Sequence, residues 1–319
     1  MNGAELKVKL NTGAYIPMVG TGSNPTSREN GYEAKTKEWL LTALKNGYRH
    51  IDTAFAYGSE KAVGQAIRES GIPREEIFVT TKFPVTHHGR VKESFEESFA
   101  NLDIGYIDLY LTHWPGALEY VEGVLMPKNA DGTFRTTESV NFNQSWAEME
   151  KLLETGKVKA IGVSNFSIKT LEELFKTAKI TPAVNQVEMH PYLARNELRN
   201  YCAKHDIVIE AYTPSGRSVV REDPLIVSLA KKYGVTPTQI ILAWHISRGN
   251  VFVAKSENDE RQKENIAIPV ISEEDLGKIW HLDRGMGVCP VPTSKPGEAL
   301  GWTYERLGWE DFHPKVANI

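Results

Sequence analysis

The sequence predicts an α/β fold, a single (β/α)8 TIM barrel with an N-terminal β-hairpin and long mouth loops, on three observations. Eight short apolar, β-branched runs alternate with helical patterns along the chain. No linker rich in Pro, Gly or Ser interrupts them. Three successive runs also end in a chemically able residue, Asp52, Lys82 and His113, where a parallel barrel presents such groups at its C-terminal rim. A chain of 319 residues would suggest two domains by length alone. The even spacing of the runs offers no break, so residues 1–319 are expected to form one barrel domain.

Residues 7–10 and 15–17 flank Asn11-Thr12-Gly13-Ala14 and read as a hairpin covering one end; residues 18–22 form the first buried strand. Residues 33–45 are expected to be helical, with Trp39, Leu40, Ala43 and Leu44 on one face. The second strand, 48–53, carries Asp52 near its end. Ala62, Val63, Ala66 and Ile67 then recur at helical spacing over 59–69, which leaves Tyr57 in the turn between. Residues 77–81 lead into Lys82 and residues 107–112 into His113, with a helix over 91–99 between them. A helix over 142–154 precedes the fifth strand, 158–163; the last three strands are 183–189, 207–211 and 251–254. Helices are read at 172–176, 194–204 and 225–233, and one capped by Asn258 at 259–266. Two stretches fall outside the alternation, 115–139 and the Pro- and Gly-containing tail 285–319. Long connections of this kind are expected to rim the mouth and to contact substrate.

Composition excludes several function classes. Thirty-seven basic residues against 41 acidic ones give a net charge of −4 with no long run of either sign, so neither nucleic acid nor an anionic membrane is an expected partner. Cys202 and Cys289 have no metal-like spacing, so no metal is expected, and two cysteines suit a reducing compartment. No stretch approaches the roughly 20 apolar residues that span a bilayer, and the first residues lack a signal-peptide core. The expectation is a cytoplasmic protein, and a monomer because no exposed apolar stripe stands out.

The strand ends suggest acid–base chemistry. A phenol with a pKa of about 10 gives up a proton only where its anion is tolerated, and Lys82 and His113 would converge with Asp52 and Tyr57 on one rim. Two unit charges about 4 Å apart interact by roughly 4 kcal/mol at an effective dielectric near 20, so Lys82 is expected to lower the Tyr57 pKa by about 2–3. Taken singly, an Asp or Lys at a strand end makes only a structural ion pair. Neither G-x-G-x-x-G between strand and helix nor a P-loop is present. Lys255 and Ser256 directly follow the eighth strand, however, and Arg261 opens the next helix, which suits a phosphate monoester. Ser164, Asn165, Gln186 and Tyr212 end other strands and would hold a flat ring bearing an amide, such as nicotinamide. The bland alternatives are solvated charges, Asn165 as a helix cap and Tyr212 as wall packing.

Seven motifs in order resemble the aldo-keto reductases from Ile16 to about Asn265. They are H-I-D-T-A-x-x-Y-G-S-E at 50–60, T-K at 81–82, L-x-H-W-P at 111–115, G-x-x-x-A-I-G-V-S-N-F at 156–166, N-Q-V-E-M-H-P-Y-L at 185–193, A-Y-T-P at 211–214, and K-S with R-x-x-E-N over 255–265. In look the chain is nearest the fungal aldose-type and glycerol-type reductases. The resemblance implies reversible reduction of aldehydes and ketones with NADPH and a catalytic set of Asp52, Tyr57, Lys82 and His113. It implies nicotinamide contacts by Ser164, Asn165, Gln186 and Tyr212, adenosine-phosphate contacts by Lys255, Ser256, Arg261, Glu264 and Asn265, and a substrate contact by Trp114. Asn24 and Pro84 stand where many relatives have tryptophan, which points to a wider or more polar pocket. The segment after Tyr212 reaches the next helix early, Ala254 replaces a usual proline, and Glu257 beside the phosphate site is unusual. Two other readings compete: an NADPH-binding regulatory barrel without turnover, and a Schiff-base enzyme acting through Lys82, which Asp52 would disfavour by keeping the lysine protonated.

Overall fold

Eight parallel strands close on one another in the order in which the chain lays them down, the last pairing with the first. The structure is a computed structural model and describes residues 1–309. The part of the expected substrate loop at 310–319 lies outside the described residues. A hairpin, β1 (Lys7–Lys9) and β2 (Tyr15–Pro17), comes first, with Val8 opposite Ile16. The barrel strands are β3 (Val19–Gly22), β4 (His50–Asp52), β5 (Phe78–Phe83), β6 (Ile107–Thr112), β7 (Val158–Ser164), β8 (Val184–Glu188), β9 (Val208–Tyr212) and β10 (Val251–Val253). Leu10, Ile16 and Met18 pack with Phe78, Leu109 and Val251 near the strand starts, so the hairpin plugs the end opposite the expected site.

Period-two alternation sorts the strand residues. Ile51, Val79, Tyr110, Ile161, Val163, Val187 and Ile209 join the apolar layer shared with the helices. The other parity, which includes His50, Asp52, Lys82, Gln186, Glu210 and Tyr212, therefore faces the barrel interior. Asp52, Lys82, Gln186 and Tyr212 are tolerated there because partners converge on them from neighbouring strands.

The outer layer comprises α1 (Tyr32–Lys45), α2 (Glu60–Glu69), α3 (Val91–Leu102), α4 (Phe142–Leu153), α5 (Ile168–Phe175), α6 (Asn196–Lys204), α7 (Arg217–Arg221), α8 (Pro224–Tyr233), α9 (Pro237–Ser247), α10 (Asp259–Ile266), α11 (Glu273–Trp280) and α12 (Tyr304–Leu307). The Asn258-capped helix has the expected limits, its cap accepting from the Arg261 amide. Helix α5 starts earlier than the apolar pattern indicated because Ser167 caps it through Thr170 N. Helix α9 is an addition to the expected set. Ile240, Ile241, Leu242, Ala243 and Trp244 are all buried, so the helix is apolar around its circumference and shows no 3.6-residue stripe. Its start was nonetheless written in the chain, where Thr236 and Gln239 form a capping box around Pro237.

The two long connections meet over the strand ends. In the tail, β11 (Glu298–Ala299) and β12 (Trp302–Thr303) form a short hairpin. Trp302 Nε1 donates to Ala117 O at 3.0 Å, and Leu118, Phe134, Val85 and Leu300 form a separate apolar cluster. Gly116 is required at this contact, since a Cβ there would lie 2.4 Å from the Trp302 ring.

Candidate active site

A cavity of about 590 Å³ opens at the strand ends, and Asp52, Tyr57, His113, Trp114, Ser164, Asn165, Gln186, Tyr212, Lys255, Ser256, Arg261 and Asn265 all line it. Asn24 and Pro84 are in its wall beside Leu125, Met126 and Leu300. Lys82 lies beneath the floor, fully buried, and Glu264 is half-buried on α10 outside the lining.

The floor is built by three strand ends and one turn. After β4 the chain makes a single 3-10 turn, Phe55–Tyr57, and Gly58 leaves it at φ 67°, a left-handed conformation that lets α2 begin at once. Tyr57 is thereby fixed at the cavity edge. Lys82 Nζ donates to Asp52 Oδ1 at 2.6 Å and to Thr53 O at 2.8 Å. It also lies 5.1 Å from the centre of the Tyr57 ring. Gln186 Nε2 donates to the same Asp52 oxygen at 2.8 Å, and the His113 ring meets the Tyr57 ring edge-on with centroids 5.8 Å apart. Burial alone would pull the Lys82 ammonium down, but Asp52, Tyr57 and Glu210 outweigh it and raise its pKa. Burial and the Lys82 charge lower His113 to about 3, so its imidazole is neutral.

The expected sign for Tyr57 is corrected by this geometry. Lys82 does lower the phenol's pKa, through its charge and a hydrogen bond, but burial raises it by more and the net shift is upward. The lysine moderates the desolvation of the phenol without reversing it.

The adjoining wall is a chain of polar contacts. Asn165 has φ 63°, a conformation that asparagine tolerates better than most residues. It is not a helix cap, since Ser167 takes that place. Its Nδ2 donates to His113 O at 2.9 Å and to Ser164 Oγ at 3.1 Å, and its Oδ1 accepts from Tyr212 at 2.8 Å. Ser164 Oγ donates to Gln186 O at 2.8 Å, so all four expected ring contacts belong to one network. At the far end, Ser256 Oγ donates to Asn258 O at 3.2 Å beside the start of α10.

Two residues of consequence, Glu188 and Glu210, were not singled out by sequence. Glu188, two residues after Gln186, is buried at the end of β8 and its Oε1 accepts from Val288 N at 2.6 Å and Cys289 N at 2.7 Å. This pins the tail so that Cys289, Pro290, Val291 and Pro292 wall the cavity. The partners lie a hundred residues away along the chain, and no local pattern signals them. Beneath the floor, Glu210 is fully buried with Oε1 3.5 Å from His50 Nε2, and burial first, then Asp52, raises its pKa to about 8. Period-two alternation from Tyr212 would have brought Glu210 inside.

The sequence profile of the Aldo/keto reductase family matches residues 18–284. The chain belongs to the aldo-keto reductase family. It is 44% identical to a glycerol 2-dehydrogenase (NADP(+)) of Saccharomyces cerevisiae over 88% of this chain and 91% of that protein. It is 42% identical to an aldehyde reductase of the same yeast, covering 91% and 95% of the two chains. It is 39% identical to a glyoxal reductase of Bacillus subtilis, covering 89% and 95%. This aldo-keto reductase is thus an NAD(P)H-dependent oxidoreductase acting on carbonyl and CH–OH groups. Among its described residues no group of His, Cys, Asp and Glu is arranged to hold a metal ion, and no helix is long and apolar enough to cross a membrane.

Proposed function

We propose that this reductase converts aldehydes and ketones to alcohols, reversibly, with NADPH as cofactor and Tyr57 as proton donor. The observation that carries the reading is the buried Lys82–Asp52 pair at 2.6 Å directly under the Tyr57 ring, with His113 at its edge. NADPH, when bound, would supply hydride to the carbonyl carbon. Every other part is played by side chains of the chain. Tyr57, with its raised pKa, remains protonated at neutral pH and so holds the proton that the developing alkoxide needs. Lys82, kept charged by Asp52, stabilises the phenolate left behind. Neutral His113 donates a hydrogen bond to the carbonyl oxygen as negative charge builds there.

Binding falls to two sets of residues. Asn165, Gln186, Ser164 and Tyr212 offer amides, a hydroxyl and a ring for the nicotinamide. Lys255, Ser256, Arg261 and Asn265 line the end suited to the adenosine phosphate. The two cations favour NADPH over NADH. Glu264 would act from behind this shell. Trp114, with Asn24 and Pro84 in place of larger rings, frames a substrate space suited to polar or branched carbonyl compounds. We assign the tail from 285 to the same barrel domain as its substrate loop, and the protein is proposed to act as a cytoplasmic monomer.

The test is oxidation of NADPH, followed by its absorbance, across a panel of aldoses, short aldehydes, dicarbonyls and aromatic aldehydes. Turnover with at least one class, and higher kcat/KM with NADPH than with NADH, is expected. Cofactor binding with no turnover of any carbonyl would replace this reading by that of a silent regulatory barrel.

A further inference from the structure

An anion lies against the cations proposed to take the cofactor's phosphate. Glu257 Oε1 lies 2.6 Å from Lys255 Nζ, one of the cations that line the cavity. The same oxygen accepts from Thr26 Oγ1 at 2.7 Å and from Thr26 N at 3.1 Å, and Lys255 Nζ also donates to Thr26 Oγ1. Thr26 belongs to the loop between β3 and α1, whose Asn24 and Arg28 line the cavity. One carboxylate oxygen therefore gathers three donors from two loops that meet at the mouth. Burial would raise the Glu257 pKa, but the hydrogen bonds from Lys255 and Thr26 outweigh it and lower the value to about 2, so the carboxylate is ionised throughout the neutral range.

We propose that Glu257 is an internal stand-in for the cofactor's 2′-phosphate, occupying Lys255 and tying the β3–α1 loop to the loop after β10 until a phosphorylated ribose displaces it. This rests on the reading that Lys255 receives that phosphate. A dinucleotide bringing a 2′-phosphate has to part the Glu257–Lys255 pair, and the carboxylate then remains nearby as a like charge. A bare ribose meets neither obstacle, and its hydroxyl is a donor that a carboxylate accepts. Glu257 thus narrows the preference that Lys255 and Arg261 create, and each arrival of a phosphorylated ligand releases Thr26. The pair is part-exposed, with side chains 28% and 40% accessible, so solvent screening limits the effect to a few-fold.

The test measures binding of 2′-phosphorylated AMP and of AMP itself to the full chain by calorimetry, which needs no turnover. Glu257→Gln is expected to bind the 2′-phosphorylated ligand about three- to fivefold tighter, with AMP changed by less than about twofold. Amide exchange at Thr26 should quicken in the variant to the rate seen in the unsubstituted chain saturated with the phosphorylated ligand. Equal changes for both ligands, or weaker binding of the phosphorylated one, would overturn the stand-in role. Lys255→Met separates the two levels of argument. If it weakens the phosphorylated ligand selectively while Glu257→Gln has no effect, only the stand-in role fails. If Lys255→Met leaves discrimination untouched, the phosphate reading beneath it fails as well.

Discussion

The floor of the cavity and the end proposed to take phosphate are both built from charged groups, yet they are held in different ways. On the floor, Lys82 is fully buried, Asp52 almost so, and each has further partners in Thr53 and Gln186. At the phosphate end Lys255 and Glu257 sit on loops within reach of solvent. A buried pair cannot lose one member without stranding the other in a medium of low polarity, whereas a part-exposed pair exchanges its partner for water at little cost. The contrast suits the proposed division of labour, in which proton transfer demands fixed positions and cofactor exchange demands bonds that part readily.

Substitutions on the floor test this difference hardest. Tyr57→Phe keeps the ring and removes the proton, so kcat is expected to fall by about 10²–10⁴ while NADPH affinity, measured by fluorescence quenching, stays within about twofold. Near-normal turnover would remove Tyr57 from the chemistry. Lys82→Met leaves Asp52 buried beside an apolar chain and should cost about 3–5 kcal/mol in denaturant unfolding. A loss no larger than that of a surface pair would show that the floor is wetter than its burial indicates.

The mouth should respond more mildly. Glu188→Ala removes the acceptor of two tail amides, worth about 0.5–1.5 kcal/mol for each such bond, and the tail should loosen without the barrel unfolding. The expected signature is a raised KM for bulky aldehydes with kcat for small ones nearly kept; equal loss on all substrates would place Glu188 nearer the chemistry. The last effect is graded with acidity. His50 and His88 have pKa values lowered to about 4, and His113 and His245 to about 3, all led by burial. Below about pH 6.5 the unfolded chain takes up protons at these rings and the folded chain does not, so stability falls as pH falls towards 4 and then 3, by up to about 1.4 kcal/mol per pH for each ring. A thermal midpoint constant over that window would contradict the burial of these rings.

Much of this was readable before any coordinates, for a physical reason. Strand-end chemistry in a parallel barrel depends on short segments, so Asp52, Lys82 and His113 could be recognised from the runs that precede them. Asn258 likewise announced its helix through a local bond. What escaped depends on burial or on distant partners. The uniformly apolar α9 has no stripe to detect, and Glu188 has meaning only once residue 288 folds back on it. The Tyr57 sign failed because the charge of Lys82 is legible in a sequence and the loss of water around a phenol is not. Asn165, plausible as a cap, was claimed instead by Tyr212 and His113.

The tail's attachment to Glu188 runs through main-chain N–H groups, which every amino acid except proline supplies. Side chains at 288 and 289 are accordingly free to be exchanged without untying the wall. A lineage carrying this anchor can diversify the compounds it accepts by rewriting the codons of this wall, while the buried Asp52–Lys82 pair goes on unaltered.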